Sequence, residues 1–240
     1  MSALESRLLG SEVIAERTRA FHFARPAGFA FKPGQAIDLL LERGTTPAQE
    51  ASRHTFSVAS APFEDQLTIA TRLRDSDFKR ALGKLTAGAA VSLEGPFGSL
   101  LLHGDARRPA VFIAGGIGIT PYMSILRQAE RDQSSRRLVL LYANHRPEDS
   151  AWLGELQALE RRMPGFRLLP VMTAMNRSSQ PWAGLCGRID AAMLRGILAE
   201  LSQPACYATG SPPMVAAMRS ALNEAGVGDD DIRSEEFHGY

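Results

Sequence analysis

Residues Ala110-Val111-Phe112-Ile113-Ala114-Gly115-Gly116-Ile117-Gly118-Ile119-Thr120-Pro121-Tyr122 put an apolar run of strand character directly before a glycine cluster. Pro121 then stands where a helix can open, because an N–H missing at a first helical position has no intrahelical partner to lose. Glycines let backbone N–H groups come close to a phosphate, and a helix N-terminus adds about half a positive charge. The chemistry on offer is a pyrophosphate seat at the end of a parallel strand. A glycine-rich strand-to-helix turn also serves plain packing, so this segment alone does not choose between the two readings. A second segment, Arg53-His54-Thr55-Phe56-Ser57-Val58-Ala59-Ser60-Ala61-Pro62, adds a guanidinium, an aromatic ring and hydroxyls within one strand-like stretch.

The elements that must position these groups change character once along the chain. Up to about residue 102 there are short strand-like pieces: 36–41 after the turn signal Lys32-Pro33-Gly34-Gln35, then 56–59, 67–72, and 90–94 before Gly95-Pro96-Phe97-Gly98. Their spacing predicts a closed antiparallel barrel. One helix interrupts them, because Phe78, Ala81, Leu82 and Leu85 recur at helical intervals behind Ser76, a candidate N-cap. From Pro109 onward, buried-type strands (111–114, 138–143, 166–172, 205–209) alternate with helical text whose apolar faces are Trp152, Leu153, Leu156, Leu159 and Met193, Leu194, Ile197, Leu198. That alternation predicts a doubly wound α/β domain on a parallel sheet. The expected division is 1–102 for the barrel, the short polar stretch 103–109 as junction, and 110–240 for the α/β domain.

With 240 residues the chain is long enough for two ordinary domains. A net charge of +1 gives no overall attraction to nucleic acid or an anionic membrane, and the pairs Arg107-Arg108 and Arg161-Arg162 read as solvated surface. Cys186 and Cys206 are far apart and form no C-x-x-C pair, so no metal or iron–sulfur set can be built from them. Two free thiols in a reducing cytosol is the expectation. The first thirty residues carry Glu5, Arg7, Glu12, Glu16, Arg17 and Arg19 without a long apolar core, and no run of about 18 apolar residues exists to span a bilayer. A cytoplasmic protein is expected.

With these pieces in this order the chain resembles the ferredoxin–NADP reductase family, in which a flavin-binding barrel precedes a nicotinamide-nucleotide domain. The resemblance covers essentially the whole sequence and rests on four ordered motifs. The first is the family's Arg-x-[Tyr/Phe]-Ser signature, here Arg53-His54-Thr55-Phe56-Ser57, with two residues rather than one between arginine and aromatic. It implies Arg53 on a flavin phosphate, with His54 as its stand-in, Thr55 and Phe56 along the flavin ring, and Ser57 at the ring's N5 edge. The second, Arg72-Leu73-Arg74-Asp75-Ser76-Asp77-Phe78-Lys79, implies Thr71, Arg72 and Ser76 around the flavin's phosphate-bearing tail. Acidic Asp75 and Asp77 oppose an anion there, and Ser76 serves equally as a plain helix cap.

The third motif matches Gly-[Gly/Thr]-x-Gly-[Ile/Ala]-[Thr/Ala]-Pro at Gly115, Gly116, Gly118, Thr120 and Pro121, and implies the nicotinamide nucleotide's pyrophosphate there. The fourth, Tyr207-Ala208-Thr209-Gly210-Ser211-Pro212-Pro213-Met214, resembles Cys-Gly-[Pro/Ser]-Pro-x-Met at the nicotinamide end, with Thr209 in place of cysteine and Gly210 next to it. Family members often end in an acidic residue followed by an aromatic that covers the flavin face. Glu235 and Phe237 fit that spacing, with Tyr240 as runner-up.

The resemblance therefore implies a flavin-dependent reductase, moving hydride from NAD(P)H to bound FAD, with Ser57, Thr209, Glu235 and Phe237 at the reacting rings. Electrons would leave to a separate acceptor: ferredoxin, flavodoxin, an oxygenase component or a small molecule. A monomer without a resident metal or a nucleic-acid partner is expected. A non-catalytic flavin- or nucleotide-binding subunit of a larger complex is the competing reading. NADH and NADPH stay equally open, Arg146 and Arg177 being the candidates for a 2′-phosphate contact.

Overall fold

The structure, a computed structural model, describes residues 3–41 and 53–238. By its internal contacts the chain divides into two compact units, 1–101 with 120–128 and 102–119 with 129–240. The first is a six-stranded antiparallel sheet built from β1 (Leu4–Ala15), β2 (Thr18–Ala24), β3 (Ala36–Leu41), β4 (Arg53–Ser57), β5 (Gln66–Arg72) and β6 (Ala90–Phe97), ordered β4-β3-β6-β1-β2-β5. Just past β4, Ala59 N–H donates to Thr68 O of β5 at 2.7 Å, joining the two outer strands of that order as a barrel requires. Inside it are Phe21, Phe23, Ile37, Leu39, Leu67, Ile69 and Leu93.

Helix α1 (Asp77–Lys84) adds Phe78 and Leu82 to this core. It opens on Ser76, whose Oγ accepts the Lys79 N–H. The β1–β2 hairpin is not announced by the sequence: its two-residue turn is Glu16-Arg17, with Arg17 at φ 55°, where glycine or asparagine is the usual signal.

In the second unit a six-stranded all-parallel sheet runs in the order β10-β9-β8-β7-β11-β12. Its strands are β7 (Ala110–Gly115), β8 (Leu138–Asn144), β9 (Phe166–Met172), β10 (Leu185–Cys186), β11 (Ala205–Gly210) and β12 (Ile232–Glu236). Between them lie α2 (Thr120–Arg131), α3 (Leu153–Arg162), α4 (Ala191–Leu198) and α5 (Pro212–Glu224). Helices on a parallel sheet bury both of its faces, which is why Val111, Phe112, Ile113 and Ala114 are all at 0% exposure.

The chain starts in the middle at β7, winds outward through β8, β9 and β10, then returns to place β11 and β12 on the other side. That reversal makes a topological switch point between β7 and β11, and ligands of such sheets bind outside the carboxyl ends of the strands there. Residues 103–108 are bonded into this unit: His103 N–H donates to Tyr207 Oη at 2.9 Å, and Arg108 Nε to Gln203 O at 2.7 Å. Ser124 and Arg127 of α2 bond instead into the first unit, to Ser60 O at 2.6 Å and Ala59 O at 3.1 Å. Among the described residues no helix is long and apolar enough to cross a membrane.

Candidate functional site

Strand alternation divides the first motif between two faces of β4. Phe56 pairs across from Ile37 and joins the barrel core, while His54, across from Leu39, lies on the same face of β4 and is only partly buried. The Phe56 ring packs 4.8 Å from His54 and 6.0 Å from Phe78. Arg53, Thr55 and Ser57 fall on the other face. There the Arg53 guanidinium is gripped by Asp38 and, at 2.9 Å, by Glu94, while Thr55 Oγ1 donates to the other oxygen of Asp38. Arg53 is thus a structural counter-charge to Asp38, which is buried at 4% exposure. Two residues further along this face, Ser57 is buried and its Oγ has no hydrogen-bond partner. A buried hydroxyl left unpaired costs about 1–3 kcal/mol, so a bound polar group that satisfies it is strongly favoured there.

Around α1 the second motif is arranged as follows. Thr71 is buried, with its hydroxyl 3.4 Å from Arg72 O, and Ser76 caps the helix. Asp75 and Asp77 are both paired with Arg80, which removes much of their opposition to an anion. Sequence reasoning passed over Lys79, which is buried at 7% exposure on a helix otherwise turned inward by Phe78 and Leu82. A lysine three residues before Leu82, on the apolar side of an amphipathic helix, is the signal that could have found it. Burial, and next the Lys79 ammonium, push the His54 imidazole below its ordinary range.

The third and fourth motifs meet at the switch point. Ala114 of β7 and Thr209 of β11 are in register, and Glu235 of β12 is in register with Thr209 on its other side. A Cβ on Gly118 would stand 2.5 Å from Thr209 O, so only glycine lets these two turns close together. Thr209 is fully buried and its Oγ1 donates to Gly118 O at 2.6 Å, across 91 residues of chain. The threonine found in place of cysteine is therefore the tie between the two turns. Gly116 has φ +54° and nothing within 4 Å of where its Cβ would be. It begins a 3-10 turn, Gly116–Ile119, that runs directly into α2, where Thr120 and Pro121 are buried. Open space over a positive-φ glycine at a helix start is the geometry of a phosphate cradle.

The carboxyl end is ordered up to this site. Residues Ile232–Glu236 form an edge strand, and the next N–H, that of Phe237, donates to Gly210 O at 2.8 Å. Phe237 is thereby fixed beside the fourth motif. Burial alone pushes the Glu235 carboxyl up. Tyr240 lies outside the described residues. Two further residues at the carboxyl ends of the strands were missed by the sequence reading. Asn144, the last residue of β8, is buried at 6% exposure with neither amide atom bonded. Glu148, four residues later, is bonded to Ser178 and Ser179. Neither stands in a glycine or apolar pattern that would mark it.

A family model described as oxidoreductase NAD-binding domain matches residues 112–220. The reductase subunit of glycine betaine monooxygenase from Chromohalobacter salexigens is 28% identical over 225 residues, covering 92% of this chain and 60% of that protein. The chain thus spans about three fifths of such oxygenase reductase components. Ferredoxin–NADP reductase B of Sorangium cellulosum is 28% identical over 243 residues, covering 97% of each. Among solved structures, the Amycolatopsis reductase GcoB superposes with a TM-score of 0.81 at 25% identity, over 98% of this chain and 70% of that one. The ferredoxin NADP+ reductase of Neisseria gonorrhoeae, with bound FAD and NADP, gives 0.81 at 24% identity over 98% and 99%. An antiparallel barrel, a parallel sheet whose glycine turns meet at its switch point, and relatives of this kind along nearly the whole length make the chain similar to ferredoxin–NADP reductases and to oxygenase reductase components.

Proposed function

We propose that the protein is an NAD(P)H-dependent flavoprotein reductase that carries FAD on the barrel unit and binds the nicotinamide nucleotide at the β7–β11 switch point. The observation that carries this reading is the Thr209 Oγ1–Gly118 O bond, which locks two glycine turns into one seat at the carboxyl ends of adjacent strands. FAD, when bound, would supply the hydride-accepting and electron-releasing chemistry. The chain's own residues bind and orient. The Ser57 hydroxyl is a free partner for a polar edge of the flavin ring. His54, Lys79 and the N-terminus of α1 are assigned to its phosphates, since Arg53 is already held by two carboxylates.

In the nucleotide unit, Gly116 and its neighbours offer backbone N–H groups to a pyrophosphate, and Phe237, held to Gly210 O, is assigned as the aromatic at the nicotinamide end. The Glu235 carboxyl keeps its proton to a higher pH than an exposed glutamate, so it can hold or release one near the reacting end. The oxygenase reductase components and ferredoxin–NADP reductases among the relatives suggest a ferredoxin, flavodoxin or oxygenase component as acceptor, and we take it to lie outside these 240 residues. A reducing cytoplasm suits two free cysteines and a nicotinamide electron donor.

Anaerobic mixing of the purified protein with NADH or NADPH tests the reading. A yellow protein should bleach within the mixing experiment, with oxidised nucleotide formed in proportion. Colour that survives excess NADH and NADPH would make the chain a flavin-binding, non-catalytic subunit. A colourless protein that takes up no added FAD would overturn the flavin assignment itself.

A further inference from the structure

Two loops at the carboxyl ends of β8 and β9 are tied together by one carboxylate. Glu148 lies in the short turn Pro147–Asp149 after β8, and Ser178 and Ser179 follow the turn Met175–Arg177 after β9. Glu148 Oε1 accepts from Ser178 Oγ at 3.0 Å, Ser179 N–H at 2.8 Å and Ser179 Oγ at 2.8 Å. Its Oε2 lies 2.9 Å from Ser178 Oγ. The Glu148 backbone N–H first, and then these serine donors, hold the carboxyl down to about 2, so it is an anion throughout the physiological range. A backbone N–H and two hydroxyls converging on one point form a nest suited to an anion. Here the protein's own carboxylate fills it.

Arg146, two residues before Glu148, is also engaged. Arg146 makes a two-pronged contact with Asp149, Nε to Oδ2 and Nη2 to Oδ1, both at 3.0 Å, and its Nη1 donates to Arg177 O at 3.3 Å. Arg177 itself is exposed. On the proposed reading, position in the sheet relates this corner to one group of the nucleotide. With the pyrophosphate at the turn after β7 and the nicotinamide toward β11, the adenosine half extends the other way, over β8 and β9. Neighbouring strands are about 4.8 Å apart, so β9 is about 10 Å from β7, within reach of the ribose that follows a pyrophosphate. In NADPH that ribose carries a 2′-phosphate; in NADH it carries a hydroxyl.

We propose that Glu148 makes this site select NADH over NADPH, because its carboxylate occupies the donors a 2′-phosphate would need and presents a like charge in their place. This rests on the reading that a nicotinamide nucleotide binds at the β7–β11 seat. A ribose hydroxyl meets no such penalty, and Glu148 Oε2, with a single serine contact, keeps room to accept a hydrogen bond from it.

Calorimetric titration of the flavin-loaded protein with NAD+ and with NADP+ reads the selectivity without any turnover. NADP+ is expected to bind at least about tenfold more weakly, since facing like charges disfavour a wrong partner strongly. Glu148→Gln removes the charge and keeps the shape, and should bring the two dissociation constants closer together. The wild-type ratio stands as a measurement even if that variant folds poorly. Equal or tighter binding of NADP+ by the wild type overturns the proposal, and loss of that binding in Arg177→Ala would then identify Arg177 as the phosphate's partner. An unchanged ratio in a folded Glu148→Gln also overturns it. If neither nucleotide binds at millimolar concentration, the seat itself is wrong and the selectivity falls with it, an outcome distinct from tight binding without preference.

Discussion

At the end of β4 the available chemistry belongs to a side chain, the buried and unpaired hydroxyl of Ser57, whereas at the ends of β7 and β11 it belongs to the backbone. The first site depends on which face of a strand a residue occupies. A shift of one position moves a group from the core to the outside, which is how Arg53 comes to face Asp38 while His54 shares a face with Phe56. The second site depends on how closely two turns approach, and that is decided by the absence of a side chain at Gly118. Side-chain sites therefore tolerate change along the chain but not across a face. Backbone sites tolerate change around them but no added atom.

The strongest way to break this contrast is Gly118→Ala. Its methyl would sit 2.5 Å from the Thr209 carbonyl oxygen, a backbone atom that cannot swing aside. A cost of about 1–3 kcal/mol is expected from the forced separation, together with loss of nucleotide binding. Gly116→Ala is the control, since its methyl meets nothing within 4 Å but must adopt φ +54°. It should weaken nucleotide binding with a smaller loss of stability, about 1–2 kcal/mol for a left-handed residue other than glycine. Urea unfolding and nucleotide titration on both variants decide it; equal stabilities would mean the two turns are not held as closely as the structure has them.

Thr209→Val tests the tie itself. It replaces the hydroxyl with a methyl of similar shape and leaves Gly118 O buried without that donor, at about 1–3 kcal/mol. Thr209→Cys should cost less, because a thiol is still a weak donor. A Thr209→Val protein as stable as wild type would show that another donor reaches Gly118 O. At the barrel site the matching test sets Arg53→Ala against His54→Ala. Removing Arg53 strands the buried Asp38 carboxylate, so the barrel should lose stability while flavin content per folded molecule holds. Removing His54 should lower flavin content instead. The flavin-to-protein absorbance ratio and the urea midpoint of each variant separate these outcomes, and the reverse pattern would return the phosphate contact to Arg53.

Which features could be seen in the sequence follows from the same contrast. The glycine turns were legible because a cluster of glycines directly after an apolar strand-like run marks a place where the backbone must approach another group closely. The switch-point architecture was legible because buried parallel strands read as unbroken apolar runs, as 110–114 and 138–143 do. What was not legible was facing. Nothing in Arg53-His54-Thr55-Phe56 says which alternate set points inward until β3 is laid beside it. The carboxyl-terminal strand was also hidden, since Ile232–Glu236 is exposed along most of its length and carries only one buried apolar residue, Ile232. Glu148 was invisible for a different reason: its partners, Ser178 and Ser179, are some thirty residues away in a loop with no pattern.

The smallest expected effects come from two carboxyls at the margins of the nucleotide seat, and they carry opposite signs. Glu235 is raised above its ordinary 4.5 by burial. As pH rises past that value the unfolded chain releases this proton first, so the folded protein holds more protons and stability falls until the folded-state pKa is passed. Glu148 is lowered from 4.5 to about 2, first by its own backbone N–H and then by the serine donors. Its contribution is complete above 4.5 and is lost as pH falls from there toward 2, where the unfolded chain takes up the proton first. Urea midpoints measured across this range should therefore change in both variants, but on opposite sides. Glu235→Gln should remove a decline that begins above pH 4.5, and Glu148→Gln should remove one that begins below it. Because Glu235 is half-buried and Glu148 lies near the surface, the first slope should survive added salt better than the second. If both variants altered the same side of the profile, hydrogen bonding to the charged form, and not burial, would govern the Glu235 carboxyl; no change above pH 4.5 in Glu235→Gln would mean that this carboxyl is solvated.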